Sequence, residues 1–165
     1  ARKAMNVALD ELSGGQYLGA NFVIADQESG WVVHGGETVE SCELENGLTI
    51  VGSTDIDDPR NERSAMAHRL LTLQNLDSPI KFLAVASKVF ARGTSVPNRP
   101  TMITRRADFG TVSSTLVALG TKPRDAIYQF AAGSPDEVRY EDYSPLLRDI
   151  LSRGIRESRS RVTTV

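Results

Sequence analysis

The sequence predicts an α+β fold of layered, mainly antiparallel sheets, and three observations carry that prediction. Apolar residues follow helical spacing in separate stretches, with short apolar or alternating runs between them. The elements come in blocks of helix, strands, two helices, strands and helix, an order that separates α+β chains from strictly alternating α/β chains. The strands are short and joined by tight turns, as antiparallel pairing allows. With 165 residues, 40% hydrophobic and 24% charged, the chain has enough material for one domain with a real core. The expected organisation is a single domain over residues 1–155 and a basic, mobile tail, RESRSRVTTV, over 156–165.

Residues 2–13 place Met5, Ala8, Leu9 and Leu12 on one helical face, and Gly14-Gly15 end the helix. NFVIAD (21–26) is apolar on both faces, Phe22 and Ile24 on one, Val23 and Ala25 on the other. It is therefore expected as a central strand covered on both sides. A turn over 27–30 leads to a second strand, Trp31–His34, which Gly35-Gly36 breaks. A third is expected within Thr38–Leu44. Asn46-Gly47 signals a hairpin turn, because both residues tolerate positive φ. Leu48–Val51 then returns as a strand that ends in the polar loop Gly52–Asp58.

Asp58-Pro59 and Ser78-Pro79 repeat one helix-start signal, a capping side chain before a proline whose missing N–H is not needed there. The first helix lines one face with Met66, Leu70 and Leu73, flanked by Ala67 and Leu71. The second presents Phe82, Leu83, Ala86, Val89 and Phe90 and stops at Gly93. Together they read as a helical pair on one face of the sheet. TSVPNRP (94–100) is a loop. Strands are expected again at Thr101–Arg105, Thr111–Leu119 and Ala126–Ala131. The middle one opens on the hydroxyls of Thr111, Ser113, Ser114 and Thr115. An irregular acidic segment, Gly133–Tyr143, leads to a last helix, Pro145–Ile155, with Leu146, Leu147, Ile150 and Leu151 inward.

The net charge of −2 argues against a dedicated nucleic-acid binder. One cysteine, Cys42, excludes an internal disulfide and a cysteine zinc cluster. No apolar run approaches the ~20 residues of a membrane span, and no signal-peptide core is present. A reducing, cytoplasmic compartment is compatible with this composition. Ala1 opens the chain without an initiator methionine, which leaves open a processed product or a segment of a longer protein.

Few residues offer chemistry. Asp55, Asp57 and Asp58 form a carboxylate cluster of the kind calcium uses, but the EF-hand spacing is missing and Asp58 has a capping role, so no metal is expected. Gly52-Ser53-Thr54 offers hydroxyls or backbone N–H groups to an oxyanion, or simply satisfies a turn. His34 and His68 are the only histidines, and no G-x-S-x-G elbow accompanies them. Cys42 lies among Glu40, Glu43 and Glu45, a setting that disfavours a thiolate. Arg153, Arg156, Arg159 and Arg161 suit either a solvated tail or an anionic partner. No cofactor motif is seen.

NFVIAD, the following hairpin and GLTIVGSTDIDDP before a helix, with RRADFGTVSSTLVALG and DAIYQFAAGSP later, resemble the NRDE family, also called transport and Golgi organisation protein 2-like. That family is related to the N-terminal-nucleophile (Ntn) hydrolases, which include choloylglycine hydrolases and penicillin V acylases. The segments keep their order over roughly residues 17–150. The resemblance implies an αββα sandwich of which this chain is an incomplete, C-terminal portion of about two-thirds.

The family's Asn-Arg-Asp-Glu motif and N-terminal cysteine do not occur here, and Ala1 has no nucleophilic side chain. No catalytic nucleophile is therefore expected within the chain. The implied activity is hydrolysis of a linear amide by a nucleophile from a preceding segment or second chain. Ser53 or Thr54 stands where the family and its hydrolase relatives commonly carry an asparagine, which in the hydrolases helps form the oxyanion hole. Asp57 and Pro59 match the family pattern, Asp57 as the residue that fixes the loop, and Asn21 matches in the first strand. Two alternatives stand beside this: a non-catalytic protein that binds or carries haem or another apolar ligand, and a structural subunit that pairs through its sheet edges.

Overall fold

The computed structural model describes residues 1–16, 19–26, 28–52, 56–74, 77–93 and 100–162. Among these, four α-helices and two three-stranded antiparallel sheets form an α+β fold. The chain divides into two compact units, Ala1–Ser64 and Ala65–Val165. No helix among the described residues is long and apolar enough to cross a membrane.

The first unit opens with α1 (Arg2–Ser13), which forms where the apolar spacing predicts. Gly15, at φ 68°, supplies the left-handed residue beyond its end. The strands β1 (Ala20–Ala25), β2 (Gly30–Gly35) and β3 (Val39–Glu43) follow in spatial order β1-β2-β3. The register sets Phe22 opposite Val33 and Ile24 opposite Trp31, so these four share one face. On that face Met5 and Leu12 of α1 bury Val33, with Ala8, Leu9, Ile24, Trp31 and Val39 packed around them. Gly35 permits this approach, since a Cβ there would meet Leu12 Cδ1 at 3.0 Å. The opposite face carries Asn21 and Val23 of β1, Val32 and His34 of β2, and Glu40 and Cys42 of β3.

Three expectations are corrected here. NFVIAD is an edge strand: Val32 and Val33 of β2 are both buried, whereas Phe22 is 45% and Val23 60% exposed. An apolar run marks a strand but does not say which strand its neighbours enclose. Second, Gly47 does turn the chain, at φ 138°, but Leu48–Val51 joins no sheet. Local bonds replace a ladder. The Ile50 N–H donates to Asp57 Oδ1 at 2.7 Å, and the Asp57 N–H donates to the Ile50 carbonyl at 2.9 Å. Third, the next helix, α2 (Glu62–Thr72), starts after Asn61 rather than at Pro59. Asn61 Oδ1 accepts the Arg63 and Ser64 N–H groups, the work of a cap. Asp58 is occupied instead by the N–H and guanidinium of Arg60.

In the second unit α2 buries Met66, Ala67 and Leu71, while Leu73 lies beyond the helix end and is 70% exposed. The helix α3 (Pro79–Phe90) begins as predicted: Ser78 Oγ accepts the Lys81 N–H and Pro79 takes the first turn. Its buried residues are Leu83, Ala86 and Val89. Thr101–Arg105 is not a strand. Arg105 and Gly110 make a single bridge, and Thr104 and Thr111 bond each other across a tight turn. The strands β4 (Ser114–Ala118), β5 (Ile127–Ala131) and β6 (Glu141–Asp142) form the second sheet in that order. β6 lies in the acidic segment expected to be irregular. The last helix, α4 (Ser144–Val162), runs past Ile155. Leu146 and Ile150 are more than half exposed on it, so its inward face is narrower than the four apolar residues predict.

Candidate functional site

Of the residues singled out from sequence, Ser53, Thr54 and Asp55 lie outside the described residues. Asn21 and Asp57 are described, and both act on the chain that flanks that tripeptide.

Asn21 points from β1 onto the sheet face opposite α1. Its Nδ2–H donates to the Gly52 carbonyl at 2.5 Å. Its Oδ1 faces His34 Nδ1, also at 2.5 Å. Chemistry fixes the orientation of this chain of bonds. A backbone carbonyl only accepts, so the amide nitrogen must face Gly52. The amide oxygen then faces His34 and also only accepts, so His34 Nδ1 carries the proton. In neutral His34 the lone pair is left on Nε2. The second N–H of Asn21 has no partner among the described residues. All three groups are part-buried, where such bonds hold an orientation better than on open surface.

Cross-strand pairing explains the arrangement. Asn21 stands directly opposite His34 in the β1–β2 register, and His34 stands opposite Glu40 in the β2–β3 register. The three form one polar row across the sheet, beside the buried Val32.

Asp57 holds the other flank through its two bonds with Ile50. It does so at φ 52°, the only non-glycine residue at positive φ among those described. Aspartate tolerates this region because its short polar side chain bonds locally, as it does here. Of the DIDD carboxylates, the two that are described have separate partners: Asp57 serves Ile50 and Asp58 serves Arg60. No group of three metal-binding side chains occurs among the described residues.

His34 is the member that residue-type reasoning passed over. With no elbow or activated serine in view, a histidine at a strand end looks structural. The available signal was register: a short turn after Ala25 sets Asn21 opposite His34. Elsewhere, His68 is exposed on α2 and Cys42 is exposed with its thiol directed to the Glu43 carbonyl. No family model, curated protein or solved structure matches the chain.

Proposed function

We propose that this chain forms the supporting wall of an amide-hydrolase site of the NRDE and Ntn type, with the nucleophile supplied from outside residues 1–165. One observation carries the reading: the Asn21 amide, locked by His34, ties β1 to the carbonyl of Gly52, the residue just before Ser53-Thr54. An acyl-transfer site needs fixed N–H donors aimed at the oxygen on which charge develops. Asn21 offers one, because its orientation is set and no described residue takes its second N–H. Ser53 and Thr54 come to this role by the resemblance, on the stretch whose flanks Asn21 and Asp57 hold. The nucleophile would be the first side chain of a matured segment, with its own α-amino group as base. The substrate class is a linear amide.

The test uses the complete polypeptide that contains these residues. N-terminal sequencing after maturation should find Cys, Ser or Thr, and the protein should release amine from N-acyl glycine or open phenoxymethyl penicillin at its side-chain amide. Asn21→Ala should lower kcat roughly 100-fold, the scale for loss of one oxyanion donor, with KM little changed. A matured terminus without such a residue, or an Asn21→Ala protein that is folded by circular dichroism and keeps its kcat, overturns the reading.

A further inference from the structure

The second unit carries a groove independent of the residues described above. The end of α3 forms one wall through Ser87, Lys88 and the capping residue Ala91, and the segment Pro135–Tyr140 forms the other. The cavity measures about 400 Å³, within the range of small-ligand sites, and is open on one side.

Its second wall is fixed before any ligand arrives. The Glu137 and Val138 N–H groups both donate to the Ser134 carbonyl at 2.9 Å, closing a tight turn. Gly133 is required there, because a Cβ would lie 2.5 Å from Val138 Cγ2. Arg105 Nη2 donates to Asp136 at 2.7 Å and to Glu137 at 2.6 Å. The Tyr140 hydroxyl bonds Ser114 Oγ at 2.6 Å and so anchors the far end to β4.

The charge balance then sets the ligand's sign. Asp136 and Glu137 are both engaged by Arg105. Lys88 and Arg139, which line the groove, belong to none of the ion pairs among the described residues. The Ser114–Tyr140 pair shares one proton between its two oxygens and has the second left to donate. Ala91, Pro135 and Val138 add apolar surface. Uncommitted donors beside apolar wall suit a ligand with an anionic head and an apolar body.

We propose that this groove binds a small carboxylate carrying an apolar chain, its head between Lys88 and Arg139 and its chain on Ala91, Pro135 and Val138. The exposure of both cations limits binding to the millimolar range.

The test is a titration of the whole chain with octanoate, followed by amide chemical shifts. Shifts concentrated at residues 87–91 and 135–140 are expected. Lys88→Gln and Arg139→Gln should each weaken binding roughly fivefold, the upper range for a solvent-exposed charge pair. Both sites lie on the surface, and unchanged spectra elsewhere establish that the variants fold. Glu137→Gln, which removes a competing carboxylate, should tighten it. Equal binding of octanol overturns the anionic part of the proposal, and equal binding of inorganic phosphate overturns the apolar part. Shifts scattered over the surface, no shift at all, or affinities unchanged in both cation variants overturn the site itself.

Discussion

Replacing Asp57 separates the two jobs assigned to it. Its carboxylate accepts the Ile50 N–H at 2.7 Å in an exposed setting, a bond of about 1 kcal/mol net. Its backbone sits at φ 52°, where a residue with a Cβ and no local side-chain bond is disfavoured by roughly 1 kcal/mol. Asp57→Ala removes the bond and keeps the strained φ, so the loop closure should weaken by about 2 kcal/mol. Asp57→Asn keeps both an Oδ1 acceptor and the tolerance for this φ, and should lose only about 0.5 kcal/mol. Asp57→Gly loses the bond and relaxes the φ but loosens the unfolded chain, and should fall between them at about 1 kcal/mol. The assay is native-state hydrogen exchange at the amide of residue 57, whose bond to the Ile50 carbonyl is available in every variant. A weakening of 2 kcal/mol corresponds to roughly 30-fold faster exchange in the Ala variant. If Ala and Asn exchange at the same rate, the side-chain bond does not close this loop and the account of it is wrong.

Two further outcomes test the packing and the electrostatics. Val33 is fully buried against α1, so Val33→Ala should destabilise the first unit by about 2 kcal/mol, while Val23→Ala on the exposed side of β1 should stay within about 0.5 kcal/mol; urea denaturation followed by Trp31 fluorescence measures both, and equal losses would contradict the assignment of faces. Asp136 is held below the ordinary aspartate range by the Ser134 hydroxyl and then by Arg105, and Asp142 by the hydroxyl and then the N–H of Ser144. A carboxylate depressed in the folded state contributes stability that is present above its unfolded value, near 3.8, and is lost as pH falls through its lower folded value. Thermal stability should therefore fall below about pH 4, and the Asp136→Asn, Asp142→Asn double variant should show a flatter acid limb; parallel limbs in melts from pH 5 to pH 2 would rule these two groups out.

What was legible in the sequence is what local chemistry decides. The spacing of Met5, Ala8, Leu9 and Leu12 set α1, and Ser78-Pro79 set the start of α3. The cores of β1, β2, β3, β4 and β5 were visible as short runs between turns. Competition between equivalent local signals was not. Asp58-Pro59 and Asn61 both offer a helix start, and the choice of Asn61 follows once Arg60 engages Asp58. Long-range placement was not legible either: nothing in NFVIAD distinguishes an edge strand from a central one. For the candidate site, the resemblance drew attention to Asn21 and Asp57, but their partners Gly52, His34 and Ile50 came only from the structure.

The absent strand and the candidate site are a single fact. Had Leu48–Val51 paired beside β3 after the Asn46-Gly47 turn, it would have been a fourth strand in the first sheet. Gly52 would then lie three strand spacings from β1, roughly 14 Å. An asparagine side chain cannot span that distance, so the Asn21–Gly52 bond and the predicted hairpin exclude each other. Asn21 projects from the face opposite α1, and Gly52 must reach that face to meet it. Three of the backbone groups freed from a ladder find other partners: the Ile50 N–H and carbonyl bond Asp57, and the Gly52 carbonyl accepts from Asn21. Two polar side chains and one backbone bond thus stand in place of sheet bonds. A ladder would have used these backbone groups to extend a wall; the side chains use them to fix the flanks of Ser53-Thr54 in position.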